Sequence, residues 1–356
     1  MRNKRSIIHI LIAIVFASLA MGCKENVTEI MALTGATPLA YMKNVPAGLT
    51  LSVNGQVKKD YEFSASALRA LATTTVRTRE VSRDGKFFGT YAYTGIPVIH
   101  LLEGIAPAEP KKGEFDRPLD MVVTFSSKSG KSASFSYGEL TMADDAFPVI
   151  LAYDRREILP TEKKTKEAYT HNVYRENLKG FRIICPGDTT NARYLDDVSV
   201  MTLGRLTVSL EGTPGMTKGS KCGSDAITCM KDGVSAPGAF AGIPRMKVGG
   251  WVKMGHGRGY KGISTVQGFS LPEFLKRNFP GCGPDDYFMF IGCDGYRSIF
   301  SGMEIFEHVY GDSMIIMDRV DGKGPQGGLT LGPMKDYFID RCVRGLTHVV
   351  IIEQTK

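Results

Sequence analysis

Gly95-Ile-Pro-Val-Ile-His-Leu101-Leu102, closed by Pro107, is echoed by Gly268-Phe-Ser-Leu-Pro-Glu-Phe274-Leu275, closed by Pro280. The two glycines, like the two prolines, stand 173 residues apart. Apolar residues recur at matching i, i+3 and i+4 places, which predicts a short amphipathic helix in each copy. Ser270 and Glu273 have capping-box spacing for the second helix.

The echo continues outward. Residues 122–125 followed by Ser129-Gly130 correspond to 287–290 followed by Asp294-Gly295, each a strand entering a turn. Ser136 with Glu139 and Ser301 with Glu304 then open a further helix in each copy as capping boxes. Apolar runs at 149–152 and 314–317 follow, with Pro160 and Pro325 at the same remove. Arg193-Tyr-Leu-Asp-Asp-Val198 and Arg341-Cys-Val-Arg-Gly-Leu346 lead into the closing strands. Upstream, the alternation at 49–57 around Asn54-Gly55 is matched to 246–253 around Gly249-Gly250. These matches, in one order, predict a tandem duplication of an α+β unit.

The N-terminus has a different character. Arg2, Lys4 and Arg5 precede Ile7–Ala20, a 14-residue apolar stretch too short to span a bilayer comfortably, as in a signal peptide. It ends in Leu19-Ala-Met-Gly-Cys23, which resembles the lipobox of bacterial lipoproteins, so Cys23 is the expected lipidation site. Lys24 follows where an inner-membrane retention signal shows Asp, which points to the outer membrane of the cell envelope. The expected organisation is a signal peptide over 1–22, a lipidated cysteine and tether over 23–48, a first domain over 49–210, a linker over 211–243 and a second domain over 244–356.

Composition is that of a folded chain, 43% hydrophobic and 23% charged. The formal charge is +7, but three of those positive charges lie in the leader, and the rest are mixed with acids. That is no nucleic-acid footprint. Six cysteines remain beyond Cys23, and Cys222 with Cys229, bracketing a loop-like stretch, is the expected disulfide. No C-x-x-C, G-x-S-x-G or P-loop pattern occurs, and no two histidines have metal-ligand spacing.

Tyr93-Thr-Gly-Ile-Pro-Val-Ile-His-Leu-Leu102, Leu151-Ala-Tyr-Asp154, Glu176-Asn-Leu-Lys-Gly-Phe-Arg-Ile-Ile-Cys-Pro-Gly187 and Arg193-Tyr-Leu-Asp-Asp-Val198 together resemble the oxidoreductase molybdopterin-binding domain of the sulfite oxidase family. Phe290-Ile-Gly-Cys-Asp-Gly-Tyr296 and Arg341-Cys-Val-Arg-Gly-Leu346 carry the second, more diverged copy. The resemblance implies two tandem domains of mixed sheets with short helices. It also implies molybdopterin as cofactor, with Arg182 and Arg193 as phosphate anchors; the alternative is a strand arginine paired locally and a turn-capping arginine.

The family's molybdenum-ligating cysteine falls in a segment that is Thr75–Asp84 here, and that segment has none. Nor does 254–266, its expected counterpart, and Asn177 stands where the family often shows His. The expectation is therefore a non-catalytic module that receives a small ligand or a protein partner in the cofactor cleft or at the seam between copies. The alternative is an oxidoreductase with atypical metal ligation in the first domain.

Overall fold

The computed structural model describes residues 45–356 except 112–113, 145, 159–174, 207–208, 216–222, 224, 256–258, 326 and 354–356. The leader, Cys23 and Cys222 lie outside the described residues.

The first half runs β1 (Thr50–Gly55), β2 (Tyr61–Ser64), α1 (Ala65–Leu68), β3 (Thr74–Val81), β4 (Phe87–Pro97), α2 (Val98–Glu103), β5 (Met121–Ser127), β6 (Ser132–Ser136), α3 (Tyr137–Thr141), β7 (Ile150–Glu157), β8 (Arg175–Ile184) and β9 (Leu195–Arg205). The second runs β10 (Thr228–Lys231), β11 (Val234–Pro237), β12 (Arg245–Gly255), β13 (Gly259–Ser270), α4 (Leu271–Asn278), β14 (Tyr287–Gly292), β15 (Arg297–Ser301), α5 (Gly302–Phe306), β16 (Met314–Val320), β17 (Thr330–Pro333), β18 (Val343–Arg344) and β19 (Leu346–Ile352). The class is α+β, mixed sheets with few and short helices.

One pairing scheme is used twice. β1 forms a hairpin with β2 and lies parallel to β9, which pairs antiparallel with β5, and β5 with β6. Likewise β10 forms a hairpin with β11 and lies parallel to β19, which pairs with β14, and β14 with β15. A second antiparallel series, β3-β4-β7-β8, matches β12-β13-β16-β17.

This register corrects one match. β1 corresponds to β10, not to the 246–253 stretch, which is β12 and answers β3. Residues 228–237, expected as linker, are a hairpin closing the second half's sheet against β19. Strand alternation around a glycine turn is too common to choose between neighbouring hairpins.

Gly95 and Gly268 stand at irregularities in the β4–β7 and β13–β16 ladders. A Cβ on Gly95 would overlap the backbone of Leu151 and Ala152, and one on Gly268 that of Ile316 and Met317. Only glycine lets the neighbouring strand approach there before the helix begins. α2 then buries Val98, Leu101 and Leu102. Burial of this kind contributes about 1.5–3 kcal/mol per side chain and holds a helix too short to persist alone. Ser270 makes no side-chain cap on α4; its neighbour Glu273 pairs with Lys276 instead.

Each half has its own core, and a third apolar cluster joins them. β14 is buried along its whole length because it faces two cores. Phe288 and Phe290 enter the second half's interior, while Tyr287, Met289 and Ile291 meet Val122 of the first. Among the described residues no helix is long and apolar enough to cross a membrane.

Candidate functional site

The capping serines lead to the seam. Ser136 Oγ accepts from the Glu139 N–H at 3.0 Å, and Ser301 Oγ from the Glu304 N–H at 3.1 Å, so both N-caps form as spaced. The glutamate side chains do not fold back to complete the boxes. Each crosses the seam: Ser136 Oγ donates to Glu304 Oε2 at 3.0 Å, and Ser301 Oγ to Glu139 Oε2 at 3.2 Å.

Behind each glutamate stands an arginine. Arg193 donates to Asp188 through Nε and Nη2 at 2.8 and 2.6 Å and to Glu139 through Nη1 at 3.0 Å. Arg341 donates to Asp336 through Nε and Nη2 at 2.6 and 3.1 Å, and to Glu304 through Nη2. Their guanidinia lie 4.4 Å above the Phe135 ring and 4.3 Å above the Phe300 ring. The cluster thus repeats residue for residue, and all six charged side chains are almost fully buried. Carboxylates outnumber guanidinia by four to two in this cluster.

The excess negative charge is resolved unequally. Burial, with repulsion from Glu139, pushes Glu304 up to about 7 despite Arg341. Burial also opposes ionisation of Glu139, but Arg193, helped by Arg341, holds it below the usual carboxylate range. The proton shared by the pair therefore resides on Glu304, and Glu139 stays charged. Burial lowers His308, which remains neutral near pH 7. Its Nδ1 accepts from the Tyr310 N–H at 3.2 Å, leaving the ring proton on Nε2.

His308 marks where the two halves differ. The chain after α5 pairs with the chain at Asp188, and the chain after α3 pairs with the chain at Asp336. In the first crossing His308 faces Gly187, where a Cβ would overlap Nε2. In the second, Ala143 occupies the place of His308, beside the larger Lys335. The exchange of bulk leaves a cavity of about 280 Å³ at the seam, walled by α2 and α3 on one side and by His308, Tyr310 and Lys335 on the other. Glu139, Glu304, Asp336 and Arg341 form its inner wall.

The expected anchors are both held by carboxylates, although Arg193 also lines a cavity of about 140 Å³ together with Ser134, Ala192 and Ser301. Arg182 on β8 donates to Glu80 Oε2 at 3.0 Å and to the Tyr93 hydroxyl at 2.6 Å, with Asp196 3.0 Å from Nε. Tyr93 in turn donates to Glu80. Arg193 is spent in the seam cluster. A phosphate at either arginine would have to displace buried carboxylates, so the geometry is that of the locally paired arginine.

The molybdenum donor set does not fit either: Thr75–Asp84 supplies no thiolate, only hydroxyls and the carboxylates of Glu80 and Asp84, of which Thr75 is hydrogen-bonded to Thr94 at 2.9 Å, Ser82 to Asp84, and Glu80 to Arg182 and Tyr93. A cavity of about 320 Å³ does lie beside Thr74–Arg77 and Pro186, lined without a thiol. Glu139, Cys185 and Asp188 cluster as metal ligands can. Arg193 Nη2 reaches Cys185 Sγ at 3.4 Å and already supplies the positive charge there. Burial raises the Cys185 thiol far above its usual value, so it is no ready thiolate.

The expected Cys222–Cys229 disulfide does not form, because Cys229 is a free, buried thiol on β10. There it packs in the second core. Cys293 is disulfide-bonded.

No family model and no curated protein matches the chain. Among solved structures, the crystal structure of the sulfane dehydrogenase SoxCD from Paracoccus pantotrophus is similar at 14% identity, over 78% of this chain and 77% of that chain, with a TM-score of 0.31. A superposition so loose carries no argument about chemistry here.

Proposed function

We propose that this chain is an exported lipoprotein of the cell envelope, anchored through Cys23 at the outer membrane, that binds a small ligand or a protein partner and does not carry out molybdenum chemistry. Its two halves are read as tandem, diverged copies of a sulfite-oxidase-like domain. The observation that carries the non-catalytic reading is the state of Arg193: a residue expected to hold cofactor phosphate is neutralised by Asp188 and Glu139 inside the protein. A scaffold whose anchoring arginine serves as internal mortar retains its packing without its cofactor. The seam cavity is the concave site left for a ligand.

The test is molybdenum and tungsten by elemental mass spectrometry, with pterin oxidation products assayed on the same sample. The sample is the full chain exported in a host validated for cofactor loading. Metal and pterin well below stoichiometric are expected. Near-stoichiometric content would overturn the reading in favour of a molybdopterin oxidoreductase with atypical ligation, and the cavity beside Thr74–Arg77 would be the place to seek the replacement ligand.

A further inference from the structure

The lining of the seam cavity is unbalanced in charge. Glu103, Glu139, Asp144, Glu304 and Asp336 contribute five carboxyl groups, against Arg341 and Lys335 as permanent cations. Arg341 is consumed by Asp336 and Glu304 within the wall. Glu139 Oε1 accepts no hydrogen bond although the side chain is only 5% exposed; Arg193 Nη2 lies 2.6 Å away as a charge without hydrogen-bond geometry. Of the two histidines, His308 is held neutral by burial, and His100 stands at the α2 side with Nδ1 3.3 Å from the Ala72 carbonyl.

The rim is aromatic. Phe147 meets Tyr310 edge to face at 5.7 Å between centroids, and Tyr337 also lines the cavity. Phe147 and Tyr337 are 39% and 47% exposed, so their rings are open to a ligand in the cavity that they line. One cation already lies against this wall: Lys335 Nζ is 5.6 Å from the Tyr310 centroid. Acidic depth behind aromatic walls is the environment that holds a substituted ammonium, by charge attraction and by the negative faces of the rings.

We propose that the seam cavity binds a small organic cation, its ammonium head turned towards Glu139 and its body held between Phe147, Tyr310 and Tyr337. The inference rests on the binding-protein reading above and gives the ligand class. A volume of about 280 Å³ limits the ligand to a small molecule. Lys335 acts as a tethered competitor for the same rings.

The test is isothermal calorimetry on the full chain in detergent with choline, putrescine and agmatine, beside the uncharged carbon isostere of choline and the dianion succinate. At least one ammonium probe is expected to bind, about tenfold more weakly in Phe147→Ala and more tightly in Lys335→Met. Both variants alter exposed side chains, and their thermal melts check that folding is intact.

Equal binding of the uncharged isostere would overturn the charge assignment. Binding of succinate, lost in Lys335→Met, would overturn it in favour of an anion. Heat from none of the probes would overturn the inference altogether. The non-catalytic reading is judged separately, by the metal and pterin content.

Discussion

Stability of this fold should fall as pH rises from 5 to 8, and one carboxyl group should account for much of the fall. Glu304 has an ordinary value of 4.5 and is held at about 7 in the folded chain. Over that interval the native state keeps a proton that the unfolded chain has released. The contribution is fully present below about pH 4.5 and vanishes above about pH 7.

Integrated between pH 5 and 8, the linkage amounts to roughly 2–3 kcal/mol. Burial is the principal cause, with Glu139 adding repulsion and Arg341 opposing both. His308 and His348 act the other way, because burial depresses them and stability gained from them rises with pH. The clean measurement is therefore a difference. Urea unfolding of the parent chain and of Glu304→Gln should be followed across the interval, since the amide keeps an oxygen for Arg341 and removes only the titration. The parent should lose about 2–3 kcal/mol relative to the variant. Parallel curves would show that Glu304 is not the proton holder and would refute the unequal division of charge in the cluster.

Arg341→Met should cost about 3–5 kcal/mol in urea unfolding, because Asp336 and Glu304 stay buried without their counter-charge. Arg83→Met, which breaks part-exposed pairs with Asp285 and Glu307, should cost under about 1 kcal/mol. Gly187→Ala should cost about 1–3 kcal/mol by driving the His308 ring from its seat, and adding His308→Ala should recover most of that loss in the same thermal melt. Under native conditions a thiol reagent should modify Cys282 ahead of Cys229, Cys342 and Cys185, which are buried and whose thiols burial pushes far from ionisation. Early modification of Cys229 would contradict its place in the second core.

What could be read from the chain was local. Ser136 and Ser301 announce helix starts through a contact three residues away, and both caps form. Gly95 and Gly268 announce a close strand approach because no side chain fits there. The Cys222–Cys229 pairing failed for the complementary reason: loop-like composition around 222–229 does not disclose that β10 runs beside the final strand, which is far away in sequence. Arg193, expected as a phosphate anchor or a turn cap, donates in the fold to Asp188 and Glu139. Its partner Glu139 is 54 residues distant, and nothing between them signals the meeting.

The sequence by itself determined the α+β class and the recurrence of one motif series in both halves, because these rest on periodicity, caps and glycines acting over a few residues. Tertiary structure decided which face of each half meets the other. It turned two capping-box glutamates into a crossed pair, Ser136 with Glu304 and Ser301 with Glu139. It also placed four buried carboxyl groups and two guanidinia together beside a cavity. Charge and hydrogen-bond partners are chosen by proximity in space, and burial lifts their strength far above its value in water. Those quantities come into being only when the two halves pack, and so the candidate site belongs to the fold more than to any stretch of the chain.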